Sequence, residues 1–130
     1  MTHSSDTLDP SLILGNEDMD GMHREFMTLL ATLDQADNPS FAALFSQLIA
    51  HTQAHFEQEQ ELMAACGFSA VQEHRAEHTK ILGELAQFEK RVLKGNTVMA
   101  RAYIRDRLPE WFALHVATMD SALVAALAEA

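Results

Sequence analysis

Imidazole and carboxylate side chains recur along this sequence at His23, His55, Glu59, His74, His78, His115 and Asp120. His55-x3-Glu59 and His74-x3-His78 are i, i+4 pairs, which set two donors one turn apart on the same face of a helix. Such a mixture suits iron, zinc or manganese. The lone cysteine, Cys66, offers no thiolate cluster for an iron–sulfur centre. Seven donors are too many for one tetrahedral zinc. They suit two metals, with five terminal imidazoles, two bridging carboxylates and a solvent-derived oxygen bridge. Split three and two, the histidines leave one metal a donor short, so it keeps an open position.

Four amphipathic segments must position these donors. The first spans about 18–36, with Met19, Met22, Phe26, Leu29/Leu30 and Leu33 at helical spacing. Asp37-Asn38-Pro39-Ser40 ends it and supplies the next N-cap. The second runs from about Ser40 to Cys66 through Phe41, Leu44/Phe45, Leu48, Thr52, His55, Glu59 and Leu62/Met63, and Gly67 stands where a left-handed cap belongs. The third covers about Ser69–Lys94, with Val71, His74, His78, Ile81/Leu82, Leu85, Phe88 and Val92 inward, and Gly95-Asn96 close it.

The fourth begins at Thr97 and turns Leu108, Trp111/Phe112, His115, Met119, Leu123 and Leu127 inward, with Asp120 one residue past Met119. Pro109 cannot donate to the carbonyl of Arg105, which predicts a kink or a new helix start. Short turns between long helices predict an all-α, antiparallel up-down-up-down four-helix bundle over residues 18–130. Residues 1–17 are expected to form an irregular N-terminal arm packed along it.

Six of the seven donors fall on the apolar stripes. Burying them unpaired would cost several kcal/mol each. In an antiparallel bundle, residues equally far from a shared turn lie at equal height. His23 lies 15 residues before Asn38 and His55 lies 15 after Ser40. Glu59 and His55 precede Cys66 by 7 and 11, while His74 and His78 follow Phe68 by 6 and 10. His78 precedes Gly95 by 17 and His115 follows Asn96 by 19. The donors therefore converge on one layer from all four helices.

Three polar residues fall outside this set. His3 lies in the polar arm, and His51 stands one turn above His55, about 6 Å by helix rise, where a boundary or supporting role fits better than ligation. Cys66 reads as a small helix-end residue. His74-Arg75-Ala76-Glu77-His78 also matches the inverted zinc-peptidase motif, but Glu77 falls on the solvated face.

The totals agree with a compact helical chain. Of 130 residues, 48% are apolar, and only five glycines and three prolines interrupt them, which fits one helix-rich domain. Nine Lys and Arg against 19 Asp and Glu give a net charge of −10, which disfavours nucleic acid and anionic membrane as partners. The apolar runs read as too short to span a bilayer, and Met1–Pro10 lacks a secretory pattern. The expectation is a cytoplasmic monomer.

The ordered pieces Met19-Asp20-Gly21-Met22-His23, His55-Phe56-Glu57-Gln58-Glu59, His74-x3-His78 and Trp111-Phe112-Ala113-Leu114-His115-x4-Asp120 resemble the hemerythrin family, and its single-domain bacterial members in particular. The resemblance spans about residues 18–124. It implies two iron ions with an oxo or hydroxo bridge: His74, His78 and His115 on the six-coordinate iron, His23 and His55 on the other, and Glu59 and Asp120 bridging. It further implies reversible binding of dioxygen at the second iron. Phe26, Phe56, Leu62, Trp111 and Met119 are candidate linings of a dry pocket. Leu12-Ile13-Leu14 replaces an aromatic common near the start of bacterial members, and Gln60 replaces a frequent Glu.

Oxygen storage, delivery or sensing is therefore the expected role, and not catalysis, with a separate oxygen-accepting protein as a conceivable partner. A di-iron enzyme acting on peroxide or nitric oxide, or an iron store, is the alternative. Classical di-iron oxygenases and ferritin-like proteins carry two E-x-x-H motifs, and this chain has none.

Overall fold

A computed structural model describes residues 12–129. Within them the chain forms four helices: α1 (Glu17–Gln35), α2 (Asn38–Cys66), α3 (Val71–Leu93) and α4 (Val98–Glu129). Local chemistry sets the ends. Asn16 accepts from the Met19 N–H and Asp37 from the Ser40 N–H, each satisfying a first-turn donor. Gly67 closes α2 at φ 62°, and the Gly67 and Phe68 N–H groups both return to the Met63 carbonyl. The cap after α1 is thus Asp37, and α2 starts two residues ahead of Ser40.

α4 departs from its expected course. Pro109 neither breaks nor restarts it. The ladder passes through a π turn at Tyr103–Arg107, where the Leu108 N–H reaches the Tyr103 carbonyl, and α-geometry resumes with proline in the first turn. A second π turn occupies Val116–Asp120. The whole helix has 32 residues and is long and apolar enough to cross a membrane by length and composition. The expectation that no segment is long enough to span a bilayer, drawn from uninterrupted apolar runs, is therefore corrected for this helix. Its inner face carries His115 and Asp120, which meet donors from the other three helices.

α1 packs on α2 and α2 on α3. The start of α4 lies against α3 and α1, and its end lies against α2. At one end, Arg101 donates to the Ala36 carbonyl and Asn38 Oδ1 and lies 4.4 Å over the Phe41 ring, tying the two turns at that end together. The apolar core is in two parts. A large cluster runs from Phe41, Phe45 and Leu85 to Phe26 and Phe112, and a smaller one holds Met19, Met63 and Leu123. The expected donors are buried as well.

Of the expected arm 1–17, residues 12–17 are described, with Glu17 already in α1, while residues 1–11, His3 among them, lie outside the described residues. Leu12 is buried, and the Leu14 and Gly15 N–H groups donate to the two carboxylate oxygens of Asp20 at 2.8 and 3.1 Å. Leu14 and Gly15 are therefore pinned to the first turn of α1.

Candidate metal centre

All seven sequence-predicted donors meet in one place, and none is more than 3% exposed. They form two groups whose donor atoms lie within 4.8 Å of one another: Glu59 with His74, His78 and His115, and Glu59 and Asp120 with His23 and His55. The two oxygens of Glu59 face opposite ways. Oε1 lies 2.7 Å from His74 Nε2 and 3.1 Å from His78 Nε2, while Oε2 lies 2.6 Å from His55 Nε2. Asp120 does the same, with Oδ1 at 3.2 Å from both His74 and His115 and Oδ2 at 3.1 Å from His23. Each carboxylate thus addresses both groups.

The atoms are close without being hydrogen-bonded as a set. His55 Nε2, Glu59 Oε2, His115 Nε2 and Asp120 Oδ1 have no hydrogen-bond partner of acceptable geometry, although they are buried and crowded. Separations near 3 Å between neighbouring donors are what metal–ligand bonds of about 2.1 Å at right angles produce. Two carboxylates and five imidazoles crowded into a dry core also offer lone pairs to a cation, which would displace the ring protons and satisfy them together. The donors fit a metal.

Electrostatics follow from the crowding. Burial pushes the Glu59 carboxyl up, but the four imidazoles of His115, His55, His74 and His78 outweigh it and hold it well below the usual range. Burial also opposes ionisation of Asp120, and His115, His23 and His74 reverse this, so its net shift is downward. Burial pushes the His115 imidazole down, while Asp120 and Glu59 more than compensate and bring it up to about 9. His74 is raised by the same carboxylates against burial, whereas at His78 burial prevails and the shift is downward.

Helix geometry explains how the donors arrive. His55/Glu59 and His74/His78 need only α-helical i, i+4 spacing. His115 and Asp120 are five apart, about 140° around an α-helix. The π turn at Val116–Asp120 absorbs the extra residue and brings both to the same face. Asp120 is fully buried as a result and Met119 only partly, reversing the inward position expected for Met119.

The surroundings fix the rings in two ways. His23 Nδ1 donates to the Leu12 carbonyl at 3.4 Å, which turns Nε2 toward the cluster, and Leu12 is held there by the Asp20-anchored arm. Asp20 was not among the expected site residues; its burial follows from accepting two arm amides, a contact with no periodic signature. The Nδ1 atoms of His74, His78 and His115 have no such partner. Aromatic rings lie against two of them instead: Phe56 on His78 at 3.7 Å and Trp111 on His115 at 4.7 Å. Among the candidate lining residues, Phe26 and Phe56 are buried, while Leu62, Trp111 and Met119 are half-buried. Phe112, read only as core, lies edge-on to His23 at 5.3 Å and against Phe26 at 4.4 Å.

Two residues of the alternative readings are placed plainly. Glu77 does not face the donors, nor is it simply solvated; it accepts from the Trp111 indole N–H at 2.8 Å. His51 belongs to neither donor group. Its ring is 6.4 Å from that of His55, and burial lowers its pKa against a hydrogen bond to the Met22 backbone.

Comparison with known proteins agrees with this geometry. The family described as "Hemerythrin HHE cation binding domain" matches residues 14–127. A bacteriohemerythrin of Ralstonia nicotianae is 34% identical over 119 residues, covering 92% of this chain and 86% of that protein. A bacteriohemerythrin of Aquifex aeolicus is 29% identical over 113 residues, covering 83% and 86%. A hemerythrin-like protein of Naegleria gruberi is 30% identical over 74 residues, covering 57% and 60%. No solved structure gives a significant match. With every buried donor inside the matched span, the chain belongs to the hemerythrin family.

Proposed function

We propose that this protein binds dioxygen reversibly at a non-haem di-iron centre. The observation that carries the reading is the unequal division of histidines around two shared carboxylates. His74, His78 and His115 serve one group and only His23 and His55 the other, so the second metal is a ligand short. When bound, the iron pair supplies the electrons that hold dioxygen and recovers them on release. Glu59 and Asp120 would bridge the ions, with a solvent-derived oxygen as the third bridge.

The protein supplies position and dryness. Phe26 and Phe112 cover the His23 side, and Phe56 spans the gap between His55 and His78, with ring centroids at 5.9 and 3.7 Å. A dry apolar wall disfavours charged products leaving into water and slows irreversible oxidation. The test is spectroscopic. Reduced anaerobically and then exposed to air, the iron-loaded protein is expected to gain a visible charge-transfer band that disappears on degassing, with two irons per chain. Prompt, irreversible oxidation would overturn the carrier reading. Turnover of peroxide or nitric oxide, or iron far above two per chain, would favour the enzyme or storage alternatives.

A further inference from the structure

Trp111 and Tyr103 are the single tryptophan and single tyrosine of the chain, the aromatic side chains that most readily give up one electron. Both lie on α4, and each donates to a glutamate of α3. The Trp111 indole N–H reaches Glu77 Oε1 at 2.8 Å, and the Tyr103 hydroxyl reaches Glu84 Oε1 at 2.8 Å. Trp111 stacks on His115 with centroids 4.7 Å apart and planes 20° from parallel. Trp111 and Tyr103 line one small cavity of about 50 Å³. Tyr103 also walls an outer cleft of about 280 Å³ beside Phe88, Arg91 and Arg107. Trp111 thus joins His115 to the small cavity, and Tyr103 lies between that cavity and the outer cleft.

Joining two helices needs only a hydrogen-bond acceptor. Placing a carboxylate, which is also a base, at both oxidisable rings adds something more. Burial and the Glu84 carboxylate push the Tyr103 phenol above its usual pKa, so it stays protonated until it loses an electron.

We propose that Trp111 and Tyr103 form an electron path that carries oxidising equivalents from the buried donor cluster to the α3–α4 cleft, with Glu84 receiving the phenol proton. An oxidised centre takes one electron from the Trp111 indole, whose N–H stays hydrogen-bonded to Glu77. The indole radical cation then regains an electron from Tyr103 as the phenol proton passes to Glu84. A thiol- or ascorbate-type reductant at the cleft gives one electron to the tyrosyl radical, and Glu84 returns the proton to the phenol oxygen. One electron moves inward and no proton is lost. The source of the oxidising equivalents rests on the di-iron reading; the path between the two rings does not.

The test generates the hole directly. Pulse radiolysis in bromide solution forms the dibromide radical anion, which oxidises tryptophan, and it is applied to the iron-loaded protein and to protein loaded with redox-inert zinc(II). The tryptophanyl absorption is expected to decay as a tyrosyl absorption grows, at a rate independent of protein concentration. Tyr103→Phe should abolish the growth, and Glu84→Gln, which keeps an acceptor but not a base, should slow it about tenfold or more. Absence of transfer in both metal forms, a concentration-dependent rate, or a wild-type rate in Glu84→Gln would each overturn the proposal. Transfer in the zinc form alongside failure to bind oxygen reversibly would sink the oxygen reading and leave the path standing.

Discussion

The ring of Phe56 lies flat on the imidazole of His78, 3.7 Å between centroids and 3° from parallel. His78 Nδ1 has no hydrogen-bond partner, so this stack replaces the outer hydrogen bond that usually orients a ligating histidine. Phe56→Ala should lower stability by about 3 kcal/mol, within the range for buried aromatic truncation. It should also speed metal loss to a chelator. Denaturant melts and chelator competition read the two effects, and unchanged metal release would show that the ring is only filling.

Asp20 acts at a distance on the opposite side. Its carboxylate holds the Leu14 and Gly15 amides, and the same arm presents the Leu12 carbonyl to His23. Asp20→Ala should cost about 1 kcal/mol or a little more, the scale for losing charge-assisted hydrogen bonds to part-buried amides. Occupancy at the His23/His55 group should fall before that at the three-histidine group. Metal analysis against stability is the measurement, and full occupancy at two per chain would refute the link.

Metal-free protein and metal uptake should respond to pH in opposite directions. His115 is raised from about 6.5 to about 9 in the fold, so its contribution is complete below about pH 6.5 and lost as pH rises through 9. His74 shifts the same way. Glu59 and Asp120 are shifted down, so their contribution is present above about pH 4 and lost on further acidification, and the downward shift of His78 adds to the loss on the acid side. The chelated protein should therefore melt progressively lower from about pH 6.5 to 9. Apparent metal affinity should climb over the same window, because the metal displaces the His115 proton. A melting temperature of the chelated protein that rises through this window contradicts the assignment.

Substitutions at the bridging carboxylates and at the excluded histidine make a paired prediction. Glu59→Ala or Asp120→Ala should abolish binding of both metals, since each faces both donor groups. His51→Ala should leave the stoichiometry at the wild-type value, because its ring belongs to neither group. Iron and zinc analyses after gel filtration decide both.

The bundle and six donors were legible because α-helical periodicity places each on a stripe that must be buried, and His23, His55, Glu59, His74, His78 and His115 obey it. Asp120 was legible only as a neighbour of the stripe. Its true position depends on a π turn, which inserts a residue without a sequence signal as plain as a glycine cap. Asp20 was missed, and Glu77 was placed on the solvated face, because their partners, the arm amides and the Trp111 indole, depend on how elements rotate against each other. Pro109 signalled a disturbance, yet the chain absorbed it by widening one turn of the helix.

The opposed oxygens of Glu59 and Asp120 bear on how the centre fills. A first ion would draw both carboxylates into position and leave their second oxygens preset for its neighbour, while removing either ion would leave those oxygens stranded in a dry core. Loading should therefore be cooperative. At half the saturating iron, the population should consist of chains with two ions and chains with none, and singly loaded protein should be scarce.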